Sequence, residues 1–272
     1  MHKTIIQANT PWWRIPFGEL VEYRDLLRMM ILRDLSTLYK QTILGPLWFF
    51  IQPFVMTVVF TIIFGKVARI ATGGIPHFVF YMSGTVVWNY FQGVLNTSAN
   101  CLLSNAGLYS KVYFPRLAIP ISAILSGTID FFIAFGVLLG LMVYFGITPT
   151  LNILWLPLFL LLALVTALGV GLWLSAMNVQ YRDVKYTVPF LVQFWMFATP
   201  VAYPASLLSP QWRTIYGLNP MAGVVEGFRW ALLGTNTAPG PMIAVSAVAA
   251  VLLLVSGAFY FRRMEKTFAD VV

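Results

Sequence analysis

NVQYRDVKY, residues 178–186, places three charges within four positions, Arg182, Asp183 and Lys185. On either side of it charge disappears: the nearest charged residue upstream is Asp130 and the next downstream is Arg213. Charge at the centre of a bilayer is costly. A short charged turn between two long uncharged runs therefore reads as the connection between two membrane-crossing helices.

Composition agrees with that reading along the whole chain. Of 272 residues, 59% are hydrophobic and 10% charged, with a mean hydropathy of +0.80, whereas soluble domains carry about 25% charged residues. The net charge of +8 is spread along the chain rather than gathered into a patch, which argues against nucleic-acid binding. One cysteine, Cys101, excludes an internal disulfide framework and a multi-cysteine zinc site. Residues 1–46 are studded with charge and lack a short apolar core, so no cleavable signal peptide is expected.

A spanning helix needs about 20 apolar residues. Six runs qualify: 47–64, 78–99, 117–145, 151–177, 187–203 and 241–261. Pro189 and Pro200 interrupt the fifth, which a spanning helix tolerates when neighbours satisfy the freed carbonyls. Six spans put both termini on one side. That side carries thirteen Lys and Arg against four on the other, so both termini are expected in the cytoplasm. The chain divides into a cytoplasmic N-terminal segment, 1–46, a transmembrane domain, 47–261, and a cytoplasmic tail, 262–272.

Residues 19–40 read as an amphipathic helix before the first span. Leu20, Leu27, Ile31, Leu35 and Leu38 fall near one face, and Glu22, Asp25, Arg33, Ser36 and Lys40 lie largely opposite. This pattern suits a helix lying in the interface plane or one packed on a partner. Outside, residues 202–240 contain two short helices: Ser209-Pro210 opens the first and Gly217 closes it, and Asn219-Pro220 opens the second, which ends at Gly234. The second, Met221–Leu233, is about 20 Å long at 1.5 Å per residue, too short to span. It is expected to dip into the outer leaflet as half of a re-entrant hairpin, with Glu226 and Arg229 paired three residues apart.

Within the second span, Thr85, Asn89, Gln92 and Asn96 share one helical face, flanked by Tyr81 and Trp88. Such a stripe either lines a pathway or makes interhelical hydrogen bonds. As a pathway, its amides, hydroxyl and aromatic rings suit a polyhydroxylated substrate. The third span adds Ser122, Ser126 and Asp130, the last being either a proton-relay group or a structural hydrogen-bonding group. It also holds a GxxxG at Gly136 and Gly140. No phosphate-binding G-x-x-x-x-G-K-[ST] loop occurs, the only histidines are His2 and His77, and no inverted repeat is visible. No metal site, catalytic group or cofactor is expected in this chain, so if it moves something uphill, another subunit must supply the energy.

Four segments carry a family resemblance: LYKQTILGPLWFFIQP (38–53), KVYFPRLAIPIS (111–122), ALGVGLWLSAMNVQYRDV (167–184) and LNPMAGVVEGFRWALLG (218–234). In this order they resemble type-2 ABC exporter permeases of the polysaccharide-export group, which includes O-antigen, capsule and teichoic acid exporters. The resemblance runs from about residue 30 to residue 262. It implies an all-α, six-helix inner-membrane subunit, a homodimer bound to two cytoplasmic ATPase subunits that hold ATP and Mg, and a lipid-linked glycan as cargo. It further implies that Lys111, Tyr113, Phe114 and Arg116 contact the ATPase. Arg182 and Asp183 then either fasten their turn to the N-terminal helix or coupling loop, or serve as a plain anchor. The outer helices become a gate carrying Trp212, Asn219, Pro220, Glu226, Arg229 and Trp230. Two rivals remain: a drug or lipid permease of the same superfamily, and a self-sufficient proton-coupled carrier using Asp130.

Overall fold

The structure, a computed structural model, describes residues 17–40, 47–109, 111, 113–181, 183–234 and 238–268. Among these the chain is helical throughout, without strands. The helices are α1 (Phe17–Glu22), α2 (Arg24–Lys40), α3 (Trp48–Phe60), α4 (His77–Ser104), α5 (Ala106–Tyr109), α6 (Ala118–Tyr144), α7 (Leu156–Gln180), α8 (Val184–Phe197), α9 (Pro210–Tyr216), α10 (Pro220–Leu233) and α11 (Pro241–Met264). A π-helical turn, Thr61–Val67, prolongs α3.

Among the described residues, four stretches are long and apolar enough to cross a membrane: Trp48–Val67, Ala118–Tyr144, Leu151–Gln180 and Pro241–Met264. α4 has the length, at 28 residues, but its hydroxyls and amides make it less apolar than those four.

The run expected to cross as 187–203 differs most from expectation. Its helix, α8, has 14 residues and stops at Phe197, and residues 198–203 continue as turns and bends. Pro200 has no N–H to extend the ladder, and the carbonyls freed at this break are taken up by side chains from α9 and α10.

Two apolar clusters hold the molecule together. The larger joins α4, α6, α7, α8 and α10 through residues such as Trp88, Phe91, Phe131, Val192 and Phe228. The smaller lies at the other end, where Met30 of α2 meets Leu102, Phe114, Leu117, Ala176, Phe261 and Phe268. The residues between Leu20 and Leu35 that were expected on one apolar face, together with Met30, are at least partly buried, while Met29 and Leu32 on the other side stay exposed.

Close helix contact depends on glycines that periodicity alone did not reveal. A Cβ at Gly169 of α7 would sit 2.6 Å from the backbone of Leu253 and Leu254 in α11, and one at Gly257 would sit 2.3 Å from the carbonyl oxygen of Gly169. Beside them the Trp173 and Tyr260 rings stack at 4.1 Å. The GxxxG of α6 does no such work within the chain, since a Cβ at Gly136 or Gly140 meets nothing within 4 Å among the described residues.

Candidate functional site

The polar stripe of α4 divides into two groups. Its part toward the start of α4 belongs to the core. Thr85 Oγ1 lies 2.8 Å from Thr57 Oγ1 of α3, an interhelical hydrogen bond of the kind that holds spans together. Tyr81 packs edge-on against Phe60 and Phe80. Trp88 is fully buried between Phe91 and Trp195, with its Nε1 donating to Gln92 Oε1 at 3.2 Å. The part toward the end of α4 is different: Asn89, Gln92 and Asn96 are partly exposed, and Gly93 and Thr97 beside them are open.

Next to that face runs a groove of about 460 Å³, walled by α3, α4 and α6 and closed below by α2. Asn89, Thr97 and Ser104 of α4, Gln52 of α3, and Ser126 and Asp130 of α6 all line it. The structure thus brings Asn89, Ser126 and Asp130 together and places Tyr81, Thr85 and Trp88 elsewhere. Ser126 donates to its own helix at Ala123 O. Asn89 Nδ2 is buried with no hydrogen-bond partner among the described residues. At the groove's lower mouth Arg33 binds Asp34 Oδ1 at 2.7 Å and Asn105 Oδ1 at 2.8 Å.

α8 presents an aromatic face that the sequence reading did not single out. Tyr186, Phe190, Phe194 and Phe197 are each more than half exposed, spaced four, four and three residues apart. Only its other side, Val188, Val192 and Met196, is buried. Large apolar rings left open on a membrane helix need lipid or protein to cover them.

Two residues organise the break after α8. Asn219 caps α10 by accepting from Met221 N at 3.1 Å; its Oδ1 also accepts from Trp195 Nε1, and its Nδ2 donates to Ala198 O and Thr199 Oγ1. Pro220 follows at the first helical position, where no N–H is missed. Arg229, 1% exposed, donates to the carbonyls of Pro200, Val201 and Tyr203. It also pairs with Glu226 at 3.3 Å and stands 3.9 Å from the centre of the Phe80 ring. Glu226 in turn accepts from Ala205 N.

Gly84 makes room for the guanidinium, since a Cβ there would lie 2.5 Å from it. Tyr216 of α9 donates to Ala198 O and meets Tyr203 Oη at 2.7 Å. Burial, and then the Tyr203 hydroxyl, hold its phenol well above the usual tyrosine range. Of the remaining expected gate residues, Trp212 is exposed and Trp230 is half-buried.

On the side of the smaller cluster, Lys111 and Tyr113 are exposed and Phe114 is buried. Arg116 donates to Glu265 O and lies over the Phe268 ring, tying the segment before α6 to the end of α11. Arg182 lies outside the described residues. Asp183 is exposed and makes no ion pair among them. Asn178, just before the turn, donates to Ala99 O at 2.8 Å and Asn100 Oδ1 at 3.2 Å. No group of His, Cys, Asp and Glu able to hold a metal occurs among the described residues.

Among the described residues, four stretches long and apolar enough to cross a membrane, packed beside a hydrogen-bonded loop that closes the break after α8, mark a membrane protein. The chain belongs to the ABC-2 type transporter family, whose model matches residues 25–233. It is 30% identical over 259 residues to an O-antigen export system permease protein, RfbA, of Myxococcus xanthus, covering 93% of this chain and 98% of that one. It is 26% identical over 250 residues to RfbA of Klebsiella pneumoniae, covering 91% and 95%. To the polysialic acid transport protein KpsM of Escherichia coli it is 24% identical over 245 residues, covering 87% and 92%.

Proposed function

We propose that this chain is the membrane-spanning subunit of an ATP-driven exporter that carries a lipid-linked polysaccharide from the cytoplasmic to the outer side of the inner membrane. In this reading two copies form the pathway, and two cytoplasmic ATPase subunits, which bind ATP and Mg, drive it. The chain crosses the membrane six times, with α4 and the broken α8 as the two less apolar crossings and both termini in the cytoplasm. α9 and α10 form a re-entrant pair that gates the outer end. Residues 1–46 and 262–272 flank the transmembrane domain on the inner side.

The observation that carries this reading is the pairing of two unlike faces. The partly exposed amides Asn89, Gln92 and Asn96 on α4 lie in the same chain as the open ring face of α8, and α8 packs on α4 through Trp195 against Trp88 and Phe91. Amides bind hydroxyls and rings stack on the apolar faces of sugars, so together they suit a long glycan that must slide without being held at any one point. The names of the relatives above, two O-antigen permeases and a polysialic acid transporter, support the same cargo class.

Two sets of variants test the assignment. Gln92→Leu and Phe194→Ala together are expected to reduce surface glycan at least fivefold while leaving the ATPase bound, as read by co-purification. Arg116→Ala is expected to do the opposite, lowering ATPase co-purification because the loop carrying Tyr113 loses its anchor to the tail. Normal export in the first set contradicts the pathway, and unchanged assembly in the second removes the loop from coupling.

A further inference from the structure

The groove between α3, α4 and α6 lies within one chain, so it exists without any second copy. It follows α4 from Val86 to Ser104, roughly 27 Å at 1.5 Å per residue, and its volume of about 460 Å³ falls within the range of small-molecule sites, about 300–1,000 Å³. Its polar lining is largely neutral: the amides of Gln52, Asn89 and Asn105 and the hydroxyls of Thr97, Ser104 and Ser126. Among the described residues the charged groups lining it are Arg33, Asp34 and Asp130.

An anionic head group would find one cation there, and that guanidinium is already held by Asp34 and Asn105. A neutral head rich in hydroxyls fits better, because amides and hydroxyls each offer both a donor and an acceptor. Asn89 adds a carboxamide to the groove wall, and its Nδ2 has no hydrogen-bond partner among the described residues, whereas such donors in native proteins generally find one. Val86, Val94, Phe131 and Ala134 supply apolar wall beside it.

We propose that this groove binds the uncharged, polyhydroxylated head of an amphiphile, a sugar unit, with its hydroxyls on Asn89, Gln52, Thr97 and Ser126. At 3.6 residues per turn the groove face of α4 borders the face carrying Gln92 and Asn96, with Asn89 near the border. A sugar held here stands next to the exposed amide face, which makes the groove a holding site ahead of the pathway. That placement rests on the export reading above; the sugar specificity does not.

The test is photo-crosslinking in cells containing the complete transporter, with benzoylphenylalanine introduced at position 97 in the groove or, as control, at position 132. Phe132 is 56% exposed and does not line the groove. The expected result is a sugar-bearing adduct at position 97 at least tenfold above position 132. Asn89→Leu, and independently Gln52→Leu on the opposite wall, reduce it at least fivefold. Gln52 is exposed, so its replacement does not threaten the fold.

Repeating the experiment in cells blocked at the first sugar of glycan synthesis separates the sources. Loss of the adduct assigns the site to the cargo. A sugar-bearing adduct that persists assigns it to a bilayer glycolipid and keeps the site, even if the export reading fails. Equal yields at positions 97 and 132, adducts of phospholipid alone, or indifference to both leucine variants overturn the proposal.

Discussion

Arg229→Ala is expected to lower the unfolding temperature of the detergent-solubilised chain by on the order of 10 °C and to abolish export. Removing one member of a buried ion pair costs about 3–5 kcal/mol, because the other charge is left uncompensated. For chains of 150–250 residues each kcal/mol corresponds to roughly 2–4 °C. Here the guanidinium also satisfies three carbonyls, those of Pro200, Val201 and Tyr203, in the segment that replaces the end of a helix. Water cannot easily take its place, since Arg229 is 1% exposed.

The same geometry ranks the neighbouring variants. Glu226→Gln should be milder, because the arginine keeps its carbonyls and the ring of Phe80. Arg229→Lys should remain damaging, because a single ammonium cannot reproduce the planar fork. Arg229→Ala with an unfolding temperature near that of the wild type would show that the break after α8 is held by something else. Circular dichroism melts of the four proteins decide this.

The second large effect is expected at Gly169→Leu. Overpacking typically costs about 1–3 kcal/mol when side chains can give way. At Gly169 the obstacles are the backbone atoms of Leu253 and Leu254, and the return contact from α11 is Gly257 against the carbonyl of Gly169 itself. Neither helix can yield locally, so α7 and α11 must separate and the stacked Trp173 and Tyr260 must part. The cost should therefore lie at or above the upper end of that range, with little folded protein recovered. Gly136→Leu is the control: a Cβ at that position meets nothing within 4 Å among the described residues, and its melt should match the wild type. Similar losses from both substitutions would place the critical packing on α6 instead.

These two sites also show what the sequence could and could not reveal. The all-helical membrane fold was legible, because charge-free runs of span length admit few other readings. The caps at Asn219 and Gly234 were legible too, since an Asx residue before proline and a glycine after the last turn act locally; Asn219 accepts from Met221 N and Gly234 takes a left-handed φ of 62°. The pairing of Glu226 with Arg229 followed from a spacing of three.

The rest depended on contacts between segments far apart in the chain. The sequence does not show that Arg229 reaches the carbonyls of residues 200–203, or that Gly84 clears space for it. It also offers no way to rank Gly169 above Gly136 as a contact between helices, since both lie in glycine-tolerant spans. The polar stripe of α4 illustrates the same limit. Four residues on one face looked equivalent, yet Thr85 is bonded to Thr57 of α3 while Asn89 faces a groove, because α3 covers only part of the helix. A signal for the α8 face was present in the spacing of Tyr186, Phe190, Phe194 and Phe197. The two prolines of that run, Pro189 and Pro200, mark where it is irregular but not which side stays open.

In the reading proposed above, this chain carries a lipid-linked glycan across the inner membrane on energy supplied by a partner. Deleting the chain in its host and following lipid-linked glycan on each leaflet, beside a strain whose partner ATPase cannot bind ATP, tests this. Glycan is expected to accumulate on the cytoplasmic leaflet in both strains. Normal surface glycan after deletion would contradict it.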